Sequence, residues 1–264
     1  MIKLIATDID GTILKDDFTF SDGVKKCIKT LKENGIHVII ATGRMYSSTK
    51  IISNELGLEE PVISYQGALV KNTVGDEEVI YQKNVDVKTA KEIIAWAKEN
   101  NIHINLYDKD ILYVENDDYI VQRYSNERYT KYQIKPFDEL ELTQIHKLLA
   151  IDFNNPDKVT QWKNEMSAKY PNLHIVKSTP YFCEFSNCDA TKGKALNYLC
   201  DLWGIKQEEV LCIGDQDNDL ELLSAGGVKV AMGNGTQNLK NIADFVTDTV
   251  DNDGFVKAVN KFIW

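Results

Sequence analysis

Glycine is distributed very unevenly along this chain, and that distribution constrains the fold more than any other feature of the sequence. Seven glycines lie between positions 11 and 75, none lies between 76 and 192, and eight lie between 193 and 254. Glycine marks tight turns at the ends of strands and helices. The two outer segments therefore share a turn-rich construction that the middle lacks. We interpret residues 1–82 and 187–264 as one discontinuous domain, into which residues 83–186 are inserted as a second domain.

The outer segments alternate apolar strand patterns with helical patterns. Ile36–Ala41 is a β-branched run of the kind that is buried in parallel sheets. Further along, a helix pattern over Lys192–Trp203 is followed by a strand at Val210–Ile213, a helix at Leu220–Ala225 and a strand at Val228–Ala231. This alternation predicts an α/β fold with a Rossmann-like, mostly parallel sheet and helices on both faces.

The middle segment mixes helical patterns with short strands. The predicted strands are Ile111–Val114, Ile151–Phe153 and Tyr181–Phe185. This mixture predicts an α+β domain.

The charge balance excludes two classes of partner. The chain has 30 basic and 40 acidic residues, a net charge of −10, which argues against binding nucleic acid or an anionic membrane surface. No apolar run approaches the length of a membrane span, and the first residues lack a signal-peptide pattern. Five irregularly spaced cysteines fit reduced thiols. We predict a cytoplasmic protein, and the sequence contains no pattern that indicates an oligomeric state.

Polar side chains cluster where the predicted strands of the outer segments end. The clusters are Asp8-Ile9-Asp10-Gly11-Thr12, Thr42-Gly43-Arg44, Thr191-Lys192-Gly193 and Gly214-Asp215-Gln216-Asp217-Asn218-Asp219. Ligands of parallel sheets bind at the carboxyl ends of the strands. We therefore expect these clusters to meet at one edge of the sheet.

Carboxylates gathered at one edge need a cation. Asp8 and Asp215, together with the main-chain carbonyl of Asp10, would make an oxygen-rich shell suited to Mg²⁺. Lys192 would add a second positive charge, so the site would accept an anion in spite of the net negative charge of the chain. The amides of Ile9 and Gly43, at strand-to-helix turns, could donate to phosphate oxygens.

A calcium-binding loop is the alternative interpretation of the last cluster. Asp215, Asp217 and Asp219 have the spacing of the first, third and fifth ligands of such a loop. The loop then requires glycine and glutamate where this chain has Leu220 and Gly226. The calcium interpretation is therefore excluded.

These four clusters, in this order, resemble the four motifs of the haloacid dehalogenase-like superfamily of phosphohydrolases. The layout is most similar to the Cof-type branch, whose class IIB cap is inserted between the second and third motifs. Two positions beside the motifs differ, because the branch usually has Asn where Gln66 stands and Ala where Gly235 stands. The resemblance implies a catalytic core made of the outer segments and an inserted cap that determines substrate specificity.

The resemblance also implies a role for each clustered residue. Asp8 would be the nucleophile that forms an aspartyl-phosphate, and Asp10 would protonate the leaving oxygen and then activate water. Mg²⁺ would be bound by Asp8, Asp215 and the carbonyl of Asp10. Asp219 would position Lys192 or a metal-bound water. The phosphoryl oxygens would be held by the amides of Ile9 and Gly43 and by the side chains of Thr42, Lys192 and Asn218.

The implied activity is Mg²⁺-dependent hydrolysis of a phosphoric monoester. The expected substrate is a small phosphorylated metabolite of the sugar phosphate, pyridoxal phosphate or flavin nucleotide type. A phosphomutase and a non-catalytic phospho-ligand binding protein are the alternatives. Release of inorganic phosphate separates a hydrolase from a mutase, and the presence of both Asp8 and Asp10 disfavours the binding protein.

Basic residues of the inserted segment are candidates for contacts to an anionic leaving group. They are Arg123, Arg128, Lys131 and Lys135. A solvated basic face is the simpler interpretation of these charges.

Overall fold

The computed structural model describes residues 1–128 and 130–264. In those ranges the strands are β1 (Leu4–Thr7), β2 (His37–Ile40), β3 (Val62–Ser64), β4 (Leu69–Lys71), β5 (Val79–Gln82), β6 (His103–Asp108), β7 (Ile111–Val114), β8 (Tyr132–Ile134), β9 (Ile145–Ile151), β10 (Leu173–Thr179), β11 (Phe182–Asn187), β12 (Val210–Gly214), β13 (Val228–Ala231) and β14 (Phe245–Val246). The α-helices are α1 (Asp22–Glu33), α2 (Tyr46–Glu55), α3 (Val87–Glu99), α4 (Tyr119–Arg128), α5 (Pro156–Lys169), α6 (Lys192–Trp203), α7 (Leu220–Ala225), α8 (Gln237–Ile242) and α9 (Gly254–Phe262).

The chain divides into two compact units. The core unit consists of Met1–Tyr81 and Thr191–Trp264, and the inserted unit consists of Gln82–Ala190. The sequence analysis set the boundaries at 82/83 and 186/187, close to these divisions. The catalytic and specificity roles assigned to the two domains stay predictions.

A five-stranded parallel sheet, in the order β14-β13-β12-β1-β2, forms the centre of the core unit. All four residues of β1 are buried, as expected of a central strand with neighbours on both sides. Leu4 and Ala6 share one apolar cluster with Leu196 of α6 and Leu222 of α7. Helix α1 packs against β2 and against α9. The predicted α/β class with a mostly parallel sheet is confirmed.

The helices of the core unit begin and end where their sequences favour it. Helix α6 starts after Thr191, whose side-chain oxygen accepts the N–H of Lys194, and ends at Gly204 with φ +65°. Helix α1 starts after Ser21, which accepts the N–H of Val24 in the same way. The sequence predicted the bounds of α6 and α7 as the structure has them.

The inserted unit is built on a six-stranded sheet in the order β10-β11-β9-β6-β7-β8. Neighbouring strands are antiparallel except for β7 and β8. Residues of α3 and α5, among them Ile93 and Trp162, form one apolar cluster with the sheet residues Leu106, Leu148 and Phe185. This arrangement is the α+β domain that the sequence indicates.

The predicted strand at Ile151–Phe153 is wrong, because the strand in this region is β9, Ile145–Ile151. His146 and Lys147 gave the start of the strand a polar appearance in the sequence. Both side chains are nevertheless buried, and Nζ of Lys147 lies 2.9 Å from Oε2 of Glu184 on the neighbouring strand β11. The ion pair explains how a lysine occupies a buried strand.

All five cysteines are free thiols, four of them buried and Cys188 exposed. Among the helices of the described ranges, none has the length and apolar character needed to cross a membrane.

Candidate active site

Asp8 follows β1, the central strand of the core sheet. Thr7, the last residue of β1, pairs with Ile213 of β12 on one side and with Ile40 of β2 on the other. The segments that follow β1, β2 and β12, beginning at Asp8, Ala41 and Asp215, therefore leave the sheet side by side. The register brings three of the four polar clusters to one edge, as the sequence analysis expected.

Lys192, at the start of α6, lies between two carboxylates. Its Nζ is 2.8 Å from Oδ1 of Asp8 and 2.6 Å from Oδ1 of Asp219, and its side chain is only 1% exposed. Burial by itself lowers the pKa of Lys192, but the carboxylates of Asp219 and Asp8 outweigh burial and raise the pKa. The ammonium charge of Lys192 is therefore held firmly beside Asp8.

Asp219 is fixed from both of its oxygens. Oδ1 contacts Lys192, while Oδ2 accepts the main-chain N–H groups of Asp215 at 3.0 Å and of Gln216 at 3.2 Å. A Cβ on Gly214 would lie 2.6 Å from the Asp219 side chain, so only glycine fits there. Asp219 thus contacts Lys192, as its predicted positioning role requires.

Asp215 is buried and accepts two neutral hydrogen bonds. Thr12 Oγ1 donates to Oδ1 at 3.2 Å, and Gln216 Nε2 donates to Oδ2 at 2.9 Å. Burial, and then the nearby carboxylate of Asp219, raise the pKa of Asp215 to about 7. Burial also raises the pKa of Asp8 well above its ordinary value, although Lys192 opposes that rise. Together, Asp8, Asp215 and Asp219 carry more negative charge than the nearby ammonium of Lys192 neutralises.

A divalent cation fits this shortage of positive charge. Carboxylate oxygens of Asp8, Asp215 and Asp219 all lie within 4.8 Å of one another. Hard carboxylate oxygens of this kind are suited to Mg²⁺. Because Asp219 already binds Lys192 and two amides, Asp8 and Asp215 are the side chains that could hold the ion. The carbonyl of Asp10, predicted as a further ligand, lies in the turn directly after Asp8.

The turn after β1 gives Asp10 surroundings unlike those of Asp8. The carbonyl of the buried Ile9 accepts the N–H groups of Thr12 and Leu14, which folds the chain back on itself. The Asp10 side chain is 37% exposed, against 8% for Asp8. Nε and Nη2 of Arg44 donate to Oδ2 and Oδ1 of Asp10 at 2.8 and 2.5 Å. The sequence analysis missed this pair, although Arg44 directly follows Thr42-Gly43 in the second cluster.

Three predicted phosphate-binding residues lie around one further side chain, Gln66. Asn218 Nδ2 donates to Gln66 Oε1 at 3.1 Å, and a Cβ on Gly43 would lie 2.5 Å from Gln66 Nε2. The carbonyl of the buried Thr42 accepts the N–H of Gln66 at 3.0 Å. Gln66 was noted in the sequence only for its departure from the family pattern, and its contacts had no signal in the spacing.

Two of the four basic candidates of the inserted unit, Arg123 and Arg128, have side-chain partners inside that unit. Arg123 Nε lies 2.7 Å from Oε1 of Glu127, and its guanidinium stacks 4.0 Å from the ring centroid of Phe153. Arg128 lies 5.7 Å from the ring centroid of Phe182. Lys131 is exposed and Lys135 is half-buried.

Comparison with known proteins identifies the family. Residues 5–259 match the haloacid dehalogenase-like hydrolase family, so the chain belongs to that family. It falls in the Cof-type branch and is a phosphoric monoester hydrolase, a phosphatase that acts on small phosphorylated substrates.

Similar proteins extend over the whole chain. The 5-amino-6-(5-phospho-D-ribitylamino)uracil phosphatase YitU of Bacillus subtilis (strain 168) is 27% identical over 264 residues, covering 98% of this chain and 97% of the relative. A phosphoglycolate phosphatase of Methanopyrus kandleri is 28% identical over 266 residues, covering 100% of this chain and 98% of the relative. The crystal structure of a haloacid dehalogenase-like hydrolase from Bacteroides thetaiotaomicron, 26% identical, covers 100% of both chains with a TM-score of 0.89.

Proposed function

We propose that this phosphatase depends on Mg²⁺ and passes the phosphoryl group of a small metabolite first to Asp8 and then to water. One observation carries the proposal: Asp8 is buried, lies 2.8 Å from the ammonium of Lys192, and shares a cluster of carboxylate oxygens with Asp215. Carboxylates act as covalent nucleophiles in phosphoryl transfer. A fixed cation beside the nucleophile favours the approach of an anionic substrate.

Asp8, Asp215 and the carbonyl of Asp10 would hold the Mg²⁺ ion. When bound, the ion offsets the negative charge of the phosphate and of the carboxylates around it. The chain supports such a site because the pKa values of Asp8 and Asp215 are raised, which marks carboxylates that gain from an added cation.

In the first chemical step, an oxygen of Asp8 bonds to phosphorus and the bond from phosphorus to the leaving oxygen breaks. Asp10 gives its proton to the leaving oxygen. Arg44 fixes the orientation of the Asp10 carboxylate and favours its charged form, so this contact has to loosen when Asp10 carries the proton that it gives. The phosphoryl oxygens are held by the amides of Ile9 and Gly43 and by Thr42, Lys192 and Asn218.

In the second step, Asp10 takes a proton from a water molecule whose oxygen then bonds to phosphorus. The bond from phosphorus to Asp8 breaks, which restores the carboxylate and releases inorganic phosphate. The same residue thus serves as acid and then as base, and its charge state at the end equals that at the start.

We infer a substrate of the sugar phosphate, pyridoxal phosphate or flavin nucleotide type. The names of two relatives support a small phosphate monoester, because one acts on a phosphorylated ribitylaminouracil and the other on phosphoglycolate. The five free thiols support the reducing, cytoplasmic setting in which such metabolites occur.

The first test is phosphate release from a panel of phosphorylated metabolites, measured with Mg²⁺ and with EDTA for the wild type and for Asp8→Asn. We expect release that requires both Mg²⁺ and Asp8, and the ranking of kcat/KM across the panel identifies the substrate type. Interconversion of sugar phosphates without release of inorganic phosphate would overturn hydrolysis in favour of a mutase.

The second test concerns the covalent intermediate. Asp10→Asn should still react with p-nitrophenyl phosphate, whose leaving group needs no proton, but should release phosphate slowly. After an acid quench, the peptide that carries Asp8 should show the mass of one added phosphoryl group. Asp8→Asn is the matched control and should show none. A phosphorylated peptide elsewhere in the chain would overturn the assignment.

A further inference from the structure

The turn Tyr65–Gly67 has an unusual backbone conformation for its sequence. Tyr65, Gln66 and Gly67 have φ values of +52°, +59° and +98°, so two residues with large side chains occupy the left-handed region that favours glycine. Tyr65 and Gln66 are both buried. Strain of this kind persists only where surrounding structure enforces it, and it is concentrated at functional sites.

The surrounding structure here consists of the candidate phosphate-binding segments. The N–H of Tyr65 donates to the carbonyl of Arg44 at 2.9 Å, and the N–H of Gln66 donates to the carbonyl of Thr42 at 3.0 Å. On the other side, a Cβ on Gly67 would lie 2.2 Å from the carbonyl oxygen of Thr191, the residue before Lys192. The turn is therefore held between the segment after β2 and the first residues of α6.

The side chain of Gln66 adds a third segment to these two. Its Oε1 accepts a hydrogen bond from Asn218 Nδ2 at 3.1 Å, and its Nε2 lies against Gly43. In the described ranges 1–128 and 130–264, the buried Oδ1 of Asn218 has no hydrogen-bond partner. The contact with Gln66 Oε1 is thus the hydrogen bond that fixes the orientation of the Asn218 amide. The second N–H of Asn218 stays available for a phosphoryl oxygen.

We propose that Gln66 is a positioning residue of the phosphoryl site. The Gln66 side chain orients the amide of Asn218 and sets the distance between Asn218 and Gly43. The proposal rests on the proposed function, in which Asn218 and Gly43 bind the phosphoryl group. Gln66 itself acts through Asn218 and takes no part in bond making. The strained turn is the means by which a side chain from the segment after β3 reaches between two other loops.

The experiment compares Gln66→Met, which keeps the length of the side chain without its hydrogen bonds, with Asn218→Ala and the double variant. We expect Gln66→Met to raise KM and to weaken binding of inorganic phosphate in Mg²⁺, measured by calorimetry, by about three- to tenfold. The melting temperature and kcat should change little. In the Asn218→Ala background, adding Gln66→Met should change KM by less than about twofold.

A second variant separates the effect of the Gln66 side chain from the effect of the left-handed backbone at this position. Gln66→Asn suits a left-handed backbone better than glutamine does, but its amide is one methylene short of Asn218. The proposal expects the KM defect of Gln66→Met in this variant too. A wild-type KM in both variants, or independent effects in the double variant, would overturn the proposal. If the wild type neither releases phosphate nor binds inorganic phosphate, the proposed function fails and this proposal fails with it.

Discussion

Arg44 and Asp10 form a two-point ion pair, in which Nε and Nη2 of the guanidinium donate to the two carboxylate oxygens at 2.8 and 2.5 Å. Asp8, two residues earlier, is held instead by the single ammonium of Lys192 at 2.8 Å. A two-point pair fixes the plane of a carboxylate as well as its charge. The two aspartates of one turn therefore pair with different cations, Asp8 in a buried pair and Asp10 in a partly exposed one.

Arg44→Lys should lower kcat while the protein stays folded, because lysine keeps the charge but cannot hold both oxygens of Asp10. The loss should be about tenfold or more for alkyl phosphates, which need a proton on the leaving oxygen. It should be clearly smaller for p-nitrophenyl phosphate. Steady-state kinetics on the two substrates test this, and an equal loss on both would show that Arg44 does not act through Asp10.

Lys192→Met should destabilise the protein by about 3–5 kcal/mol, because it leaves two buried carboxylates without their cation. Lys192 lowers the pKa of Asp8, so its removal raises that pKa further. A carboxyl whose folded pKa lies above its unfolded pKa loses stability as the pH rises. The loss of stability of Lys192→Met relative to the wild type should therefore be larger at pH 8 than at pH 5.

Melting temperatures of Lys192→Met at the two pH values provide the measurement. The matched control is Lys194→Met, which removes an exposed lysine of the same helix and should melt close to the wild type. A deficit in Lys192→Met that does not depend on pH would contradict the prediction.

Asp215→Asn should raise the melting temperature of the metal-free protein at pH 8. Asp215 has a pKa of about 7 against an ordinary value of 3.8, so the folded state binds its proton more tightly than the unfolded state. The stability from this group is complete below about pH 4 and is lost as the pH rises to about 7. Asparagine carries no charge and avoids that loss. The difference in melting temperature between Asp215→Asn and the wild type should therefore shrink toward pH 5.

Thermal melting in EDTA and in Mg²⁺ tests this account of Asp215. Mg²⁺ should raise the melting temperature of the wild type and leave Asp215→Asn unchanged, because a ligand stabilises only the folded state that binds it. A variant that melts below the wild type in EDTA at pH 8 would show that Asp215 stabilises the site without metal.

Lys147→Met should destabilise the inserted unit by about 3–5 kcal/mol, because Glu184 would stay buried without its cation. The double variant Lys147→Met with Glu184→Leu should recover most of the loss, since it buries no unpaired charge. Urea unfolding followed by circular dichroism gives the comparison. The single variant Glu184→Leu completes the comparison. If the effects of the two single variants simply add in the double variant, the ion pair contributes no coupling.

Elements with a regular apolar pattern could be predicted from the sequence almost to the residue. Helix α6 has both an N-terminal cap at Thr191 and an apolar stripe, and its bounds match the prediction. Strand β9 could not be predicted in this way. Lys147 looks like a surface residue until its partner Glu184, far along the chain, is known to lie beside it.

The same reasoning applies to the site. The order of strands in a parallel sheet brings Asp8 and Asp215 to one edge, so their meeting could be expected from where each strand ends. The pairs Arg44–Asp10 and Gln66–Asn218 depend on how side chains leave irregular turns. Neither the spacing of residues in the sequence nor their type determines the direction in which a side chain leaves such a turn.

The division of the core unit into two chain segments has a consequence for biosynthesis. Strand β1 and Asp8 are made before the inserted unit, but β12, Lys192 and Asp219 follow only after Gln82–Ala190 have been translated. Until then the edge of β1 that later pairs with β12 has no partner in the emerging polypeptide, and such an edge is open to wrong pairing. Ribosome-bound chains that stop before residue 191 should therefore lack the part of the site that Lys192, Asp215 and Asp219 form. The partners of Asp8 on β12 and α6 are thus made only after the whole inserted unit.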